Sequence, residues 1–162
     1  HEPRLLRNMI LWYFDEVKLE KVHDKPEEVI YHLRTLYASY SLAAGSHWRR
    51  GVVMKLPHLC FYVPELYHAL DPQFIVMTRD IDEIENTRER RGWHLALGRL
   101  GAEQCLEHMT RDFSALNLPY LEVAFEDLLA DPRAQLGRMA NFLGTTFTPP
   151  EVDTALEVLV RR

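Results

Sequence analysis

Apolar residues recur at helical spacing through the first 45 positions of the chain. Leu5, Leu6, Met9, Ile10 and Tyr13 fall three and four apart, the spacing of one helix face turned to a core. A break is predicted around Val22 to Asp24. Asp24 followed by Glu27 has the form of a capping box, and Pro26 fits the first turn of a second helix. Ile30, Leu33, Leu36, Tyr37 and Tyr40 continue that helix's apolar face until Gly45 stops it.

From residue 51 the rhythm changes to short apolar runs that end in a charge. Gly51 to Lys55 and Gln73 to Thr78 read as strands, the second followed directly by Arg79. Cys60 to Leu70 reads as a helix, with Pro64 in its first turn or kinking it. Asp80 and Glu83 have the spacing that caps a helix start. A long helix over about Leu95 to Leu116 precedes Pro119, and Tyr120 to Ala124 reads as a third strand. Asp131 with Pro132 opens a helix that runs to Gly144, and Thr148, Pro149 and Glu151 open the last one. Strands alternating with helices predict an α/β fold, a parallel sheet flanked by helices. Ligands of such sheets bind at the carboxyl ends of the strands, which singles out Lys55 and Arg79.

The length of 162 residues suits one domain, residues 1–162, with a helical region over 1–50 and an α/β core over 51–162. A formal net charge of −5 argues against a nucleic-acid coat but leaves a local anion pocket open. Cys60 and Cys105 are too few for a disulfide framework and lack metal-site spacing. No metalloprotease, nucleophile-elbow or glycine-rich phosphate-loop pattern occurs, and no metal is expected. The absence of a spanning apolar run or a leader pattern gives the expectation of a cytoplasmic protein with no membrane span.

Arg79 follows a strand and precedes a capped helix, where free N–H groups and the helix dipole favour an anion and a guanidinium adds bidentate phosphate recognition. The competing reading pairs it with Asp80, Asp82 or Glu83. Lys55 and His58 are a second candidate pair: a strand-end lysine can stabilise charge on a transferring group and a histidine can act as base. The competing reading is a solvated lysine beside a turn histidine. Thr87 by itself passes as a helix-surface threonine. Arg49, Arg50, Arg88, Arg90 and Arg91 read as solvated basic clusters, and Phe61, Tyr62 and Tyr67 as core.

Three segments taken in order resemble the PAPS-dependent sulfotransferases, in a bacterial-type form with a P-loop NTPase-like fold. Val52-Val-Met-Lys-Leu-Pro-His58 leading into Val63-Pro-Glu-Leu66 is similar to the family's strand ending in a lysine motif. Phe74-Ile-Val-Met-Thr-Arg-Asp-Ile-Asp-Glu-Ile-Glu-Asn-Thr87 resembles its strand, arginine and following helix. Val123-Ala-Phe-Glu-Asp-Leu-Leu-Ala-Asp-Pro132, with the Asn141-Phe-Leu-Gly144 ending, resembles its third motif. The resemblance implies that Arg79 binds the 3′-phosphate of PAPS, with Thr87 in place of the usual serine. It implies that Lys55 steadies the transferring sulfuryl group. His58 lies three residues after the lysine where the family motif has two, so the base is His58 or an acidic or histidine residue from elsewhere. Phe125 replaces the family's tyrosine and Ile81 its proline.

The resemblance also implies a 5′-phosphosulfate loop that this sequence lacks, which gives the expectation that the strand and loop lie upstream of His1. The implied activity is sulfuryl transfer from PAPS to a hydroxyl or amine on a small-molecule or carbohydrate acceptor, with no nucleic-acid partner. The aromatic-rich N-terminal helices would form an acceptor wall or a homodimer surface. Two other readings stand beside it: a P-loop nucleotide kinase, and a non-catalytic interaction domain on the same fold.

Overall fold

In the computed structural model, residues 4–44 and 52–160 are described. The expected helix stop at Gly45, the Arg49–Arg50 cluster, Gly51 and the terminal Arg161–Arg162 lie outside the described residues. The N-terminal stripe forms helix α1, Arg4–Tyr13, which buries Leu6, Ile10 and Tyr13 while Leu5 is exposed. The break begins at Phe14, ahead of the expected Val22. Phe14–Asp15 (β1) and Glu20–Lys21 (β2) pair as a short antiparallel hairpin. Asp15 causes this: its carboxylate accepts from the backbone N–H groups of Val17 and Lys18, a local turn that competes with helix. Leu19 closes the loop in the left-handed region at φ 55°.

Helix α2, Pro26–Ala44, starts with the Val29 N–H bonded to the Lys25 carbonyl, and turns Val29 and Leu33 inward. Its buried face is thus centred near Val29 and Leu33, and Tyr37 remains on the exposed side. The Tyr13 hydroxyl lies 3.0 Å from His32 Nδ1 and ties α1 to α2.

The expected strand at residues 51–55 is corrected by the structure: residues 52–56 carry no regular secondary structure, and Val53 is 90% exposed. Among the described residues β3 has a ladder partner on one side, β4, so nothing pairs with this segment. An apolar run without a ladder partner does not become a strand. A 3₁₀ turn follows at Pro57–Tyr62 and passes into α3, Val63–Leu70, with Pro64 in the first turn. Arg34 on α2 donates to the carbonyls of His68 at 2.8 Å and Ala69 at 3.2 Å, satisfying the end of α3. The buried Glu65 carboxylate is matched by Lys21, whose ammonium is 2.5 Å from Oε1 and 4.8 Å from the centroid of the Tyr62 ring. That buried setting, next to Glu65, pushes the Tyr62 hydroxyl pKa up.

Phe74–Thr78 (β3) and Tyr120–Ala124 (β4) pair in parallel, in the register Phe74↔Tyr120 through Thr78↔Ala124. Between them run α4, Ile81–Arg91, a 3₁₀ turn at Leu95–Leu97, and α5, Arg99–Leu116. Phe113 of α5 sits between the first register partners, 5.1 Å from the Phe74 ring and stacked 4.6 Å from Tyr120. After β4 come α6, Phe125–Ala130, α7, Pro132–Phe142, and α8, Pro149–Val160. Asp131 caps α7 by accepting from the Ala134 N–H, as its position before Pro132 implies. The result is a helix-rich α/β structure around a small parallel sheet, and one apolar cluster runs from α1 to α5. Among the described residues no helix is long and apolar enough to cross a membrane.

The α5 entry demands glycine at one place. A Cβ on Gly101 would overlap the backbone carbonyl of Ala96, whereas one on Gly137 in α7 meets nothing within 4 Å. Gly101→Ala is expected to cost about 1–3 kcal/mol, and Gly137→Ala to add about 0.4–1 kcal/mol, read as opposite shifts in urea midpoint.

Candidate functional site

The parallel register sets two chain junctions side by side. Thr78 is level with Ala124, so the residues that follow, Arg79–Asp80 and Phe125–Glu126, leave the sheet together at its carboxyl edge. Three contacts join or shape them. The Arg79 guanidinium lies over the Phe125 ring at 5.4 Å, a cation–π contact that limits where the side chain swings. The Glu126 carboxylate accepts from the Asp80 backbone N–H at 3.2 Å. The Asp80 carboxylate accepts from the Glu83 N–H at 3.0 Å and caps α4. The capping box predicted for Asp80 and Glu83 is therefore half made: Asp80 caps, and Glu126 takes the return position.

Of the three acids weighed as partners for Arg79, Glu83 is the one that pairs with it, at 3.7 Å. Asp82 instead pairs with Arg99 at the start of α5. Arg79 is 37% and Glu83 59% exposed, so this pair contributes on the order of 0–1 kcal/mol and yields readily to a stronger anion. Thr87 is half-buried on α4, one turn beyond Glu83 on the same face. Arg79, Glu83 and Thr87 thus follow one another along the start of α4.

Lys55 and His58 are placed differently from one another. Lys55 is exposed on the irregular segment before the 3₁₀ turn. His58 is buried inside that turn, its ring 5.3 Å from the Phe14 ring. The two do not present to solvent together. Of the N-terminal aromatics, Tyr13 and Phe14 are core, Trp12 is exposed, and Tyr37 lines a shallow cleft with Arg34, Tyr67, His68 and Asp71.

Residues 6–149 match the model of the sulfotransferase family. The chain belongs to that family. Neither a curated protein nor a solved structure matched in the corresponding searches. In this sulfotransferase, sequence reasoning missed Phe125 and Glu126 as parts of the arginine's setting. Their signal was available: two parallel strands of equal length, each followed at once by its motif, put Phe125 opposite Arg79.

Removing the cap isolates its contribution. Asp80→Ala is expected to lower stability by about 0.5–2 kcal/mol and Asp80→Asn by much less, measured by chemical denaturation.

Proposed function

We propose that this sulfotransferase moves a sulfuryl group from PAPS to a hydroxyl or amine of a small-molecule or carbohydrate acceptor, releasing adenosine 3′,5′-bisphosphate. The observation that carries this reading is Arg79: a guanidinium at the carboxyl end of β3, at the mouth of an N-capped helix, with the Thr87 hydroxyl two turns on. That donor set suits a terminal phosphate, which accepts charge-assisted bonds from arginine and a further bond from a hydroxyl. To bind it, Arg79 exchanges the Glu83 carboxylate for the 3′-phosphate.

The chemistry asks for alignment more than covalent work, as in phosphoryl transfer. Lys55 screens the sulfuryl oxygens as charge builds on them, and His58 takes the acceptor's proton. Lys55 is exposed on the segment before the 3₁₀ turn, while His58 is buried under Phe14, so in this reading the turn must shift for an acceptor to reach the imidazole. Residues 1–162 act as one domain in this reading, with the N-terminal helices on the acceptor side. The continuous apolar cluster from α1 to α5 supports that arrangement.

Titration calorimetry with adenosine 3′,5′-bisphosphate tests the donor site. Arg79→Ala is expected to weaken binding about 10- to 150-fold, the loss of hydrogen bonds to a charged group, and Glu83→Gln to tighten it by removing the competitor. Unchanged affinity in Arg79→Ala overturns the site. For the chemical step, Lys55→Ala and His58→Ala are each expected to lower turnover about 100-fold or more with donor affinity retained. Full turnover in both variants would remove these two residues from the mechanism.

A further inference from the structure

The mechanism leaves two thiols unused, and the fold has brought them together. Cys60 is buried in the 3₁₀ turn Pro57–Tyr62, and Cys105 is half-buried in the second turn of α5; both are free. The turn lies along this face of α5. Phe61, next to Cys60, has its ring 4.7 Å from that of His108, which stands one turn beyond Cys105. Both cysteines belong to the same apolar cluster, and each thiol is within hydrogen-bonding reach of the other. We propose that Cys60 and Cys105 are a redox-responsive pair that closes into an intramolecular disulfide on exposure to a small-molecule disulfide such as oxidised glutathione.

The order of events follows from burial. The contact between the two thiols lowers the Cys105 pKa, while that contact and burial raise that of Cys60. The thiolate is the attacking species, and Cys105 is the more exposed sulfur, so it reacts first. Its thiol releases a proton to solvent, the thiolate attacks one glutathione sulfur, and the other glutathione leaves as a thiolate. Cys60 then gives its proton to that departing thiolate and attacks Cys105 Sγ. The second glutathione leaves and is protonated from solvent. Two protein thiols are oxidised, one glutathione disulfide is reduced to two glutathione thiols, and the protein gains the Cys60–Cys105 bond.

The cross-link would staple the 3₁₀ turn that contains His58, and the Lys55 segment leading into it, onto α5. Its formation does not depend on the assignment of sulfuryl transfer, so the two readings fail separately.

The full chain is incubated with oxidised glutathione, digested without reduction and mapped by mass spectrometry, with circular dichroism recorded on the same sample. The expected product is a linked Cys60–Cys105 peptide in a monomer that reverts with dithiothreitol. Cys60→Ala should hold glutathione on Cys105 as a lasting adduct, and Cys105→Ser should give neither species. The proposal is overturned if the wild-type protein keeps a stable glutathione adduct with the Cys60 thiol intact. It is equally overturned if both thiols stay unreacted or link different molecules while the dichroism remains native.

Discussion

The setting of Arg79 depends on the register of one parallel strand pair. With Phe74 opposite Tyr120, Thr78 ends level with Ala124, and Arg79 and Phe125 emerge at the same height. A one-residue slip would move every side chain of one strand to the other face and separate Arg79 from Phe125. Two features hold the register at opposite ends. At the start, Phe113 is wedged against Phe74 and Tyr120, the first matched pair. At the finish, Glu126 grips the Asp80 N–H across the sheet's carboxyl edge. The crossover helix α5 is thus fastened to the sheet by the same ring that aligns the ladder. Its contribution lies in aromatic packing of about 0.5–1.5 kcal/mol per pair beyond area burial.

Much of this was legible in the chain because its punctuation is local. Asp80 before Ile81, Asp131 before Pro132 and the five-residue run Tyr120–Ala124 all specify structure through neighbours a few residues away. Such signals survive without knowledge of the fold. Where the outcome depended on distant partners or a subtler local bond, the pattern misled. The apolar run before Lys55 has strand composition, yet no strand among the described residues lies beside it, and composition alone does not supply a ladder. The hairpin after α1 is not marked by the apolar spacing, which ends at Tyr13. The deciding agent was the Asp15 carboxylate and its two backbone bonds. Arg79 itself was legible from strand-end position; Phe125 and Glu126 needed the pairing of two strands some 46 residues apart in sequence.

The overall charge of −5 is a poor guide to the chemistry at this edge. The sheet's carboxyl end carries many acids, which would seem a bad place for an anion. Their hydrogen-bond partners show how each is used. Asp80 is spent on the Glu83 N–H, Glu126 on the Asp80 N–H, and Asp82 on Arg99. Glu122 accepts from the Thr78 hydroxyl at 3.4 Å. Each of these carboxylates accepts from a group other than Arg79, although a bond from a neutral N–H or hydroxyl leaves its charge in place. Glu83 differs, since it alone among these acids pairs with Arg79, loosely and in solvent. In the proposed reading a phosphate would compete with that one weak ion pair, and the acids around it serve the turn geometry that presents the guanidinium. The local charge at this edge is set over a few ångströms by who pairs with whom, which the net charge of the whole domain does not report.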